Sequence, residues 1–244
     1  LKTLFGKKGI LFMEYDYRPL PELIPEELLV RAEKLSSPNI CDGLTKLKLN
    51  PVNYTMDAAI KPVCDSMKIV ATASTVDTKD GDNLPIHVGI YNCKPGYCLV
   101  VAGKAAEDRA YMGDLMGGAA AAIGLSGIIV DGYIRDKLGL AENGMPMFSR
   151  GYKPSSPSKI GPGAINTEVE CGKVSVKPGD LIVADADGIV CVPRDLIADV
   201  LTKAEEKIAY EAKRVETIAN YRKCKAEGKE LPDLTPGWVK DMLK

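Results

Sequence analysis

Apolar residues change their spacing from stretch to stretch along the chain, and the changes divide it into elements. Uninterrupted β-branched and apolar runs at Ile69-Val70-Ala71-Thr72-Ala73, Tyr97–Gly103 and Gly127-Ile128-Ile129-Val130 predict buried strands, the last of them broken by the turn signal Asp131-Gly132. Between the second and third runs lies Ala119-Ala120-Ala121-Ala122-Ile123, strong helix formers that begin a helix after the glycine-rich residues 113–118 and end it at Gly124. Strand, glycine turn, helix and strand make a βαβ unit with a right-handed crossover. Upstream, an extended proline-bearing arm leads to a helix from about Pro25 to Leu35, with acids in its first turn. Ser36-Ser37-Pro38-Asn39 then caps a second helix in which Ile40, Leu44 and Leu47 recur at helical spacing. Asp80-Gly81-Asp82-Asn83 reads as a turn leading into the apolar run Leu84–Ile90. Downstream, a loop follows Asp136, residues 150–165 form a long irregular segment of the kind that covers a site or an interface, and residues 174–193 alternate strands and turns in hairpin fashion. A long helix from about Arg194 to Glu227 carries the stripe Val200, Ala204, Ile208, Ala212, Val215 and Ala219. It exceeds what one small domain covers and is expected to pack on a neighbouring subunit.

At 244 residues the chain suits one large domain, and 45% hydrophobic with 27% charged residues is ordinary globular composition. A net charge of −1 argues against nucleic acid. No apolar run approaches the ~20 residues of a membrane helix, and the first residues lack a signal-peptide pattern. The seven cysteines are scattered and form no CxxC, which fits reduced thiols and a cytoplasmic protein rather than a zinc site or a disulfide framework. His87 is the single histidine, so a two-histidine metal site has nothing to draw on; among apolar neighbours it reads as a satisfied, partly buried side chain. Asp42 reads as a structural polar group.

The densest chemistry lies in residues 113–136. Free amides at the start of the alanine helix form a site for a carboxylate or phosphate, although no P-loop lysine follows. Arg135-Asp136 stands just beyond a strand's carboxyl end, where open α/β sheets place ligands. Asp114 precedes Arg135 by 135 − 114 = 21 positions, enough for a helix and a strand to bring both to one mouth. The plain alternative is a surface ion pair beside a helix packed on a sheet.

Gly113-Asp114-Leu115-Met116, Asp131-Gly132 to Arg135-Asp136, Pro178-Gly179-Asp180 and Ala184-Asp185-Ala186-Asp187-Gly188 through Val192-Pro193, with Gly81-Asp82-Asn83-Leu84 to His87, resemble one group. It contains the 4-hydroxy-4-methyl-2-oxoglutarate/4-carboxy-4-hydroxy-2-oxoadipate aldolases and the regulator of ribonuclease activity A. The likeness spans roughly residues 35–215. It implies an α/β/β sandwich of swivelling-domain type, with an N-terminal arm and helix over residues 1–35, a core over 36–193, and a C-terminal helix and tail over 194–244. It also implies homotrimers or homohexamers with sites between subunits, and metal-dependent cleavage of a 4-hydroxy-2-oxo acid to pyruvate, with oxaloacetate decarboxylation as a related activity. By the same resemblance Arg135 binds the substrate's carboxylate and keto oxygen, Asp136 anchors Mg²⁺ or Mn²⁺, and Asp114 holds a water on that cation. The amides around Gly113, Leu115 and Met116 take the pyruvyl carboxylate. Glu211 of a neighbouring subunit joins the site, with Glu205 and Glu206 as alternatives. The aldolases carry an acid three residues after the Arg-Asp aspartate, where this chain has Gly139; the regulator branch lacks that acid too, but its proteins lack the long C-terminal helix and are non-catalytic.

Overall fold

Four parallel strands form the centre of the sheet, and their sequence explains why: β-branched runs buried on both faces are what a parallel sheet requires. The computed structural model describes residues 15–79, 81–106 and 108–243. The first part of the expected arm and Asp80 of the expected turn lie outside them. In chain order the elements are β1 (Asp16–Tyr17), α1 (Glu26–Glu33), α2 (Ser37–Lys46), β2 (Lys61–Pro62), β3 (Ile69–Thr78), α3 (Leu84–Asn92), β4 (Tyr97–Ala102), α4 (Asp114–Ile123) and β5 (Gly127–Ile134). There follow α5 (Lys137–Glu142), β6 (Met147–Tyr152), β7 (Gly163–Ile165), β8 (Val169–Cys171), β9 (Val174–Val176), β10 (Leu181–Ala184), β11 (Ile189–Val192), α6 (Ile197–Ala226) and α7 (Gly237–Met242).

Strands β3, β4, β5 and β6 run parallel in that order. The long β3 is shared on its other side: Ile69–Thr72 pairs with β10 and Val76–Thr78 with β7, both antiparallel. One apolar core joins the parallel strands to α3, α4, α5 and the β8–β9 hairpin. A second joins the β10–β11 hairpin to α1, α2 and α6. The result is the expected α/β/β sandwich with N-terminal helices and a long C-terminal helix. Ser36 caps α2 in a capping box with Asn39, and Ile40 and Leu44 are fully buried. No helix among the described residues is long and apolar enough to cross a membrane.

Several elements depart from the sequence pattern. Helix α4 begins at Asp114, five residues before the alanine run, and Gly117 is packed rather than free: a Cβ at position 117 would lie 2.6 Å from Leu140 Cδ2. Close packing on α5 therefore offsets the roughly 1 kcal/mol helix penalty of Gly117. Asp131-Gly132 does not end β5; it marks a register shift against β6 between Val130 and Tyr133, a bulge that bends the strand. Gly132 is needed there because any Cβ would collide with the Tyr111 ring. The run after Asn83 is helix α3, with Pro85 in its first turn, and the loop expected after Asp136 contains α5. Val174–Val176 pairs back with β8 and not with β10.

Helix α6 is anchored only at its start. Ile197, Val200, Leu201 and Ala204 are buried, and no later residue of the helix is. Past the half-buried Ile208, the expected stripe is exposed at Ala212, Val215 and Ala219.

Candidate active site

The carboxyl end of β5 and the start of α4 meet because residues 110–112 run alongside the bulged end of β5. Tyr111 N donates to Tyr133 O at 2.8 Å and Arg135 N to Met112 O at 2.9 Å. This brings Gly113, the α4 cap, against Arg135 and Asp136. A Cβ at position 113 would collide with Asp136 Oδ2 and lie 3.0 Å from Arg135 Cγ, so glycine is required by approach and not by its extended backbone. Asp136 itself is left-handed, φ 58°, in the turn that opens α5; such strain is held by surrounding structure and clusters at functional sites.

Arg135, Asp136, Asp114, Gly113, Leu115 and Met116 all line one cleft of 210 Å³. Arg135 Nε donates to Asp136 Oδ2 at 3.0 Å and Nη1 to Ser156 Oγ at 2.8 Å, with both charged side chains 37% exposed. The first helical bond of α4 is Gly117 N to Gly113 O, so the amides before it precede the ladder. Leu115 N donates to Asp114 Oδ1 at 2.7 Å, placing the carboxylate at the positive end of the helix. Asn143 Nδ2 donates to Asp114 O at 2.9 Å and ties α5 to the same turn. Gly139 touches Asp114: a Cβ there would lie 2.7 Å from Oδ2 and 2.8 Å from Asp114 Cβ.

The far wall was legible only in part: the irregular segment expected to cover a site or an interface does line the cleft, but its partner α3 was not foreseen. Asn83, His87, Ser156, Pro157 and Lys159 complete the lining, from α3 and the irregular segment 153–162. Asp82, 1% exposed, pins that segment, accepting from Ile160 N at 2.6 Å, Gly161 N at 3.1 Å, Ser158 Oγ at 2.8 Å and Leu84 N at 3.0 Å. Burial pushes its carboxyl up, but these donors outweigh burial and hold it below the usual range. The signal was present in Asp82-Asn83-Leu84, an aspartate two residues before an amide it can accept from. His87 is half-buried as expected, yet it lines the cleft, and no described residue hydrogen-bonds its ring.

The C-terminal glutamates stay outside this chain's cleft. Glu205 pairs with Arg31 at 2.8 Å, Glu206 with Lys203 at 2.7 Å, and Glu211 lies 3.7 Å from Lys207 on its own helix. Asp42 is a structural group, 3.6 Å from Lys207. Among the described residues no three metal-ligating side chains converge. Asp114 and Asp136 offer oxygen donors only, which suits Mg²⁺, an ion that binds through one or two carboxylates and keeps several waters.

A cleft at the carboxyl ends of parallel strands, with a guanidinium and a helix start facing the same space, marks an α/β protein equipped to hold a small anion. Residues 37–191 match the RraA-like family, described as Aldolase/RraA. The chain belongs to that family. A protein of Halalkalibacterium halodurans described as a "Putative 4-hydroxy-4-methyl-2-oxoglutarate aldolase" is 37% identical over 179 residues, covering 73% of this chain and 81% of that one. The crystal structure of Streptomyces coelicolor RraAS2, described as an unusual member of the RNase ES inhibitor RraA protein family, superposes with a TM-score of 0.70 at 27% identity, over 78% of this chain and 96% of that one. An uncharacterized protein from Pseudomonas syringae pv. tomato gives a TM-score of 0.70 at 25% identity, over 84% and 96%.

Proposed function

We propose that the chain is a divalent-metal-dependent lyase that cleaves a 4-hydroxy-2-oxo acid to pyruvate and a carbonyl compound, with oxaloacetate decarboxylation as a second activity. The observation that supports it is the fit of Gly113 against Asp136, which sets both acids, Arg135 and the α4 amides around one small cleft. Arg135 binds the 2-oxo carboxylate and the keto oxygen, turning from Ser156 toward the ligand. The Met116 amide, and that of Leu115 once Asp114 turns from it toward the cation's water, complete the carboxylate site. Asp136 would hold Mg²⁺ or Mn²⁺ directly and Asp114 through a water, and the ion would supply Lewis-acid stabilisation of charge on the 2-oxygen. The active form is a homotrimer or homohexamer, in which the exposed half of α6 finds its cover and Glu211 reaches a neighbour's cleft.

Pyruvate followed by proton NMR in heavy water tests this without a guess at the departing half. Metal-dependent loss of the methyl signal, abolished in Arg135→Ala, is the expected result, since any such lyase must stabilise the pyruvate enolate. Absence of exchange with every divalent metal turns the reading to a non-catalytic regulator or binding protein. Gly139 favours that second reading, because it stands where the aldolases carry an acid and Asp114 packs directly against it.

A further inference from the structure

Among the groups around the cleft, His87 is one that neither the ion pairs nor the pyruvate contacts use. It sits in the first turns of α3, its amide donating to Asn83 O at 3.0 Å. The ring stacks on Tyr91, centroids 5.9 Å apart and planes 25° apart, which fixes its orientation from one turn further along the helix. Both ring nitrogens lack a hydrogen-bond partner among the described residues, and the wall they belong to closes the 210 Å³ cleft that also holds Arg135 and Asp114. The charged groups of the surrounding elements are Lys159 from the 153–162 segment, Asp114 from α4, Arg135 and Asp136 beyond β5, and Asp82, whose carboxylate is taken up by that segment. Burial pushes the imidazole pKa down and the Lys159 ammonium pushes it further, leaving a neutral ring at neutral pH.

We propose that His87 is the base that removes the hydroxyl proton of the 4-hydroxy-2-oxo acid, a role that rests on the lyase reading above. A ring nitrogen takes the O–H proton, and the electrons of that bond become the second bond of the new carbonyl at C4. The C3–C4 bond breaks, and its pair passes into the enolate of pyruvate, whose charge lies on the 2-oxygen beside Arg135. His87 then returns the proton to C3, which yields pyruvate and restores the neutral imidazole. Oxaloacetate has no hydroxyl proton to lose, so its decarboxylation bypasses the first of these transfers.

That difference is the test. In His87→Gln and His87→Asn the rate of 4-hydroxy-2-oxoglutarate cleavage relative to oxaloacetate decarboxylation falls by about 10²-fold or more, the contribution of a general base. The acid limb of the cleavage pH profile disappears with it. In the wild type that limb coincides with the titration midpoint of the single histidine ring read by proton NMR. A ratio unchanged in both variants, whether the two rates fall together or hold, overturns the inference while leaving the lyase reading intact. A wild type that neither cleaves, decarboxylates nor exchanges pyruvate protons overturns that reading, and the inference with it.

Discussion

Two arginine–aspartate pairs flank the same strand, and they have opposite fates. Arg135–Asp136, at the end of β5, is 3.0 Å apart with each side chain 37% exposed. Arg150–Asp131, between β6 and the β5 bulge, is 2.5 Å apart with side chains 13% and 7% exposed. The buried pair is surrounded by partners: Asp131 Oδ2 accepts from Gly172 N at 2.9 Å, Arg150 reaches Asp57 Oδ2 at 3.4 Å, and Lys173 pairs with Asp57 at 3.0 Å. Burial pushes the Arg150 pKa down, but Asp131 and Asp57 more than reverse it. The first pair keeps solvent access and can re-aim at a ligand; the second fixes the bulge from which the first emerges. Identical residue types thus stand open to solvent in one place and locked into the architecture in the other, and burial makes the difference.

Substitutions can break this contrast. The largest effect is expected from Asp131→Ala, which leaves Arg150 buried with only its longer contact to Asp57 and should lower stability by about 3 kcal/mol; thermal melts read it, and methyl exchange per folded molecule should survive at low temperature. Arg135→Ala should show the converse, a loss of exchange of about 10²–10³-fold with little change in melting, since exposed pairs contribute under about 1 kcal/mol. If Arg135→Ala unfolds the chain instead, the contrast is wrong. Gly113→Ala tests the approach of Asp136: the new methyl group collides with its carboxylate, and metal affinity measured by calorimetry should drop about 10–100-fold, as when a ligand's support is lost. The smallest effect concerns acid. The Ala59 amide, with Lys173 and Arg150 beside it, holds the Asp57 carboxyl at about 2. Because the folded value lies below the unfolded one, this stabilisation is complete above the ordinary carboxylate range and is lost as pH falls toward 2. Urea melts at pH 5 and pH 3 should therefore lose less stability in Asp57→Asn than in the wild type.

The parallel core was legible because β-branched runs and an alanine helix leave few alternatives, and α6 because its stripe from Val200 to Ala219 keeps one period over about five turns. Arg135-Asp136 was legible from its place after a strand. Asp131 was not: Asp-Gly reads as a turn in any local window, and only the Tyr111 ring and the Arg150 guanidinium, remote in sequence, make it a bulge. Helix α3 was hidden by Pro85, which the first turn of a helix tolerates. The segment 150–165 was legible as a cover, but its meeting with α3 in the cleft's far wall was hidden, because Asp82 and residues 158–161 meet across about 76 positions, a contact no spacing announces.

The uneven anchoring of α6 makes its backbone a clock for assembly. The outer turns bury no side chain, so the amide hydrogens beyond Ala204 should trade with deuterium quickly when a chain is alone, while those near Val200 stay protected by the second core. Dilution then becomes an experiment. If copies of the chain cover the outer turns, their protection should fade as concentration drops while that of the inner turns does not, and the residue at which the two behaviours part marks where one subunit's own fold ends.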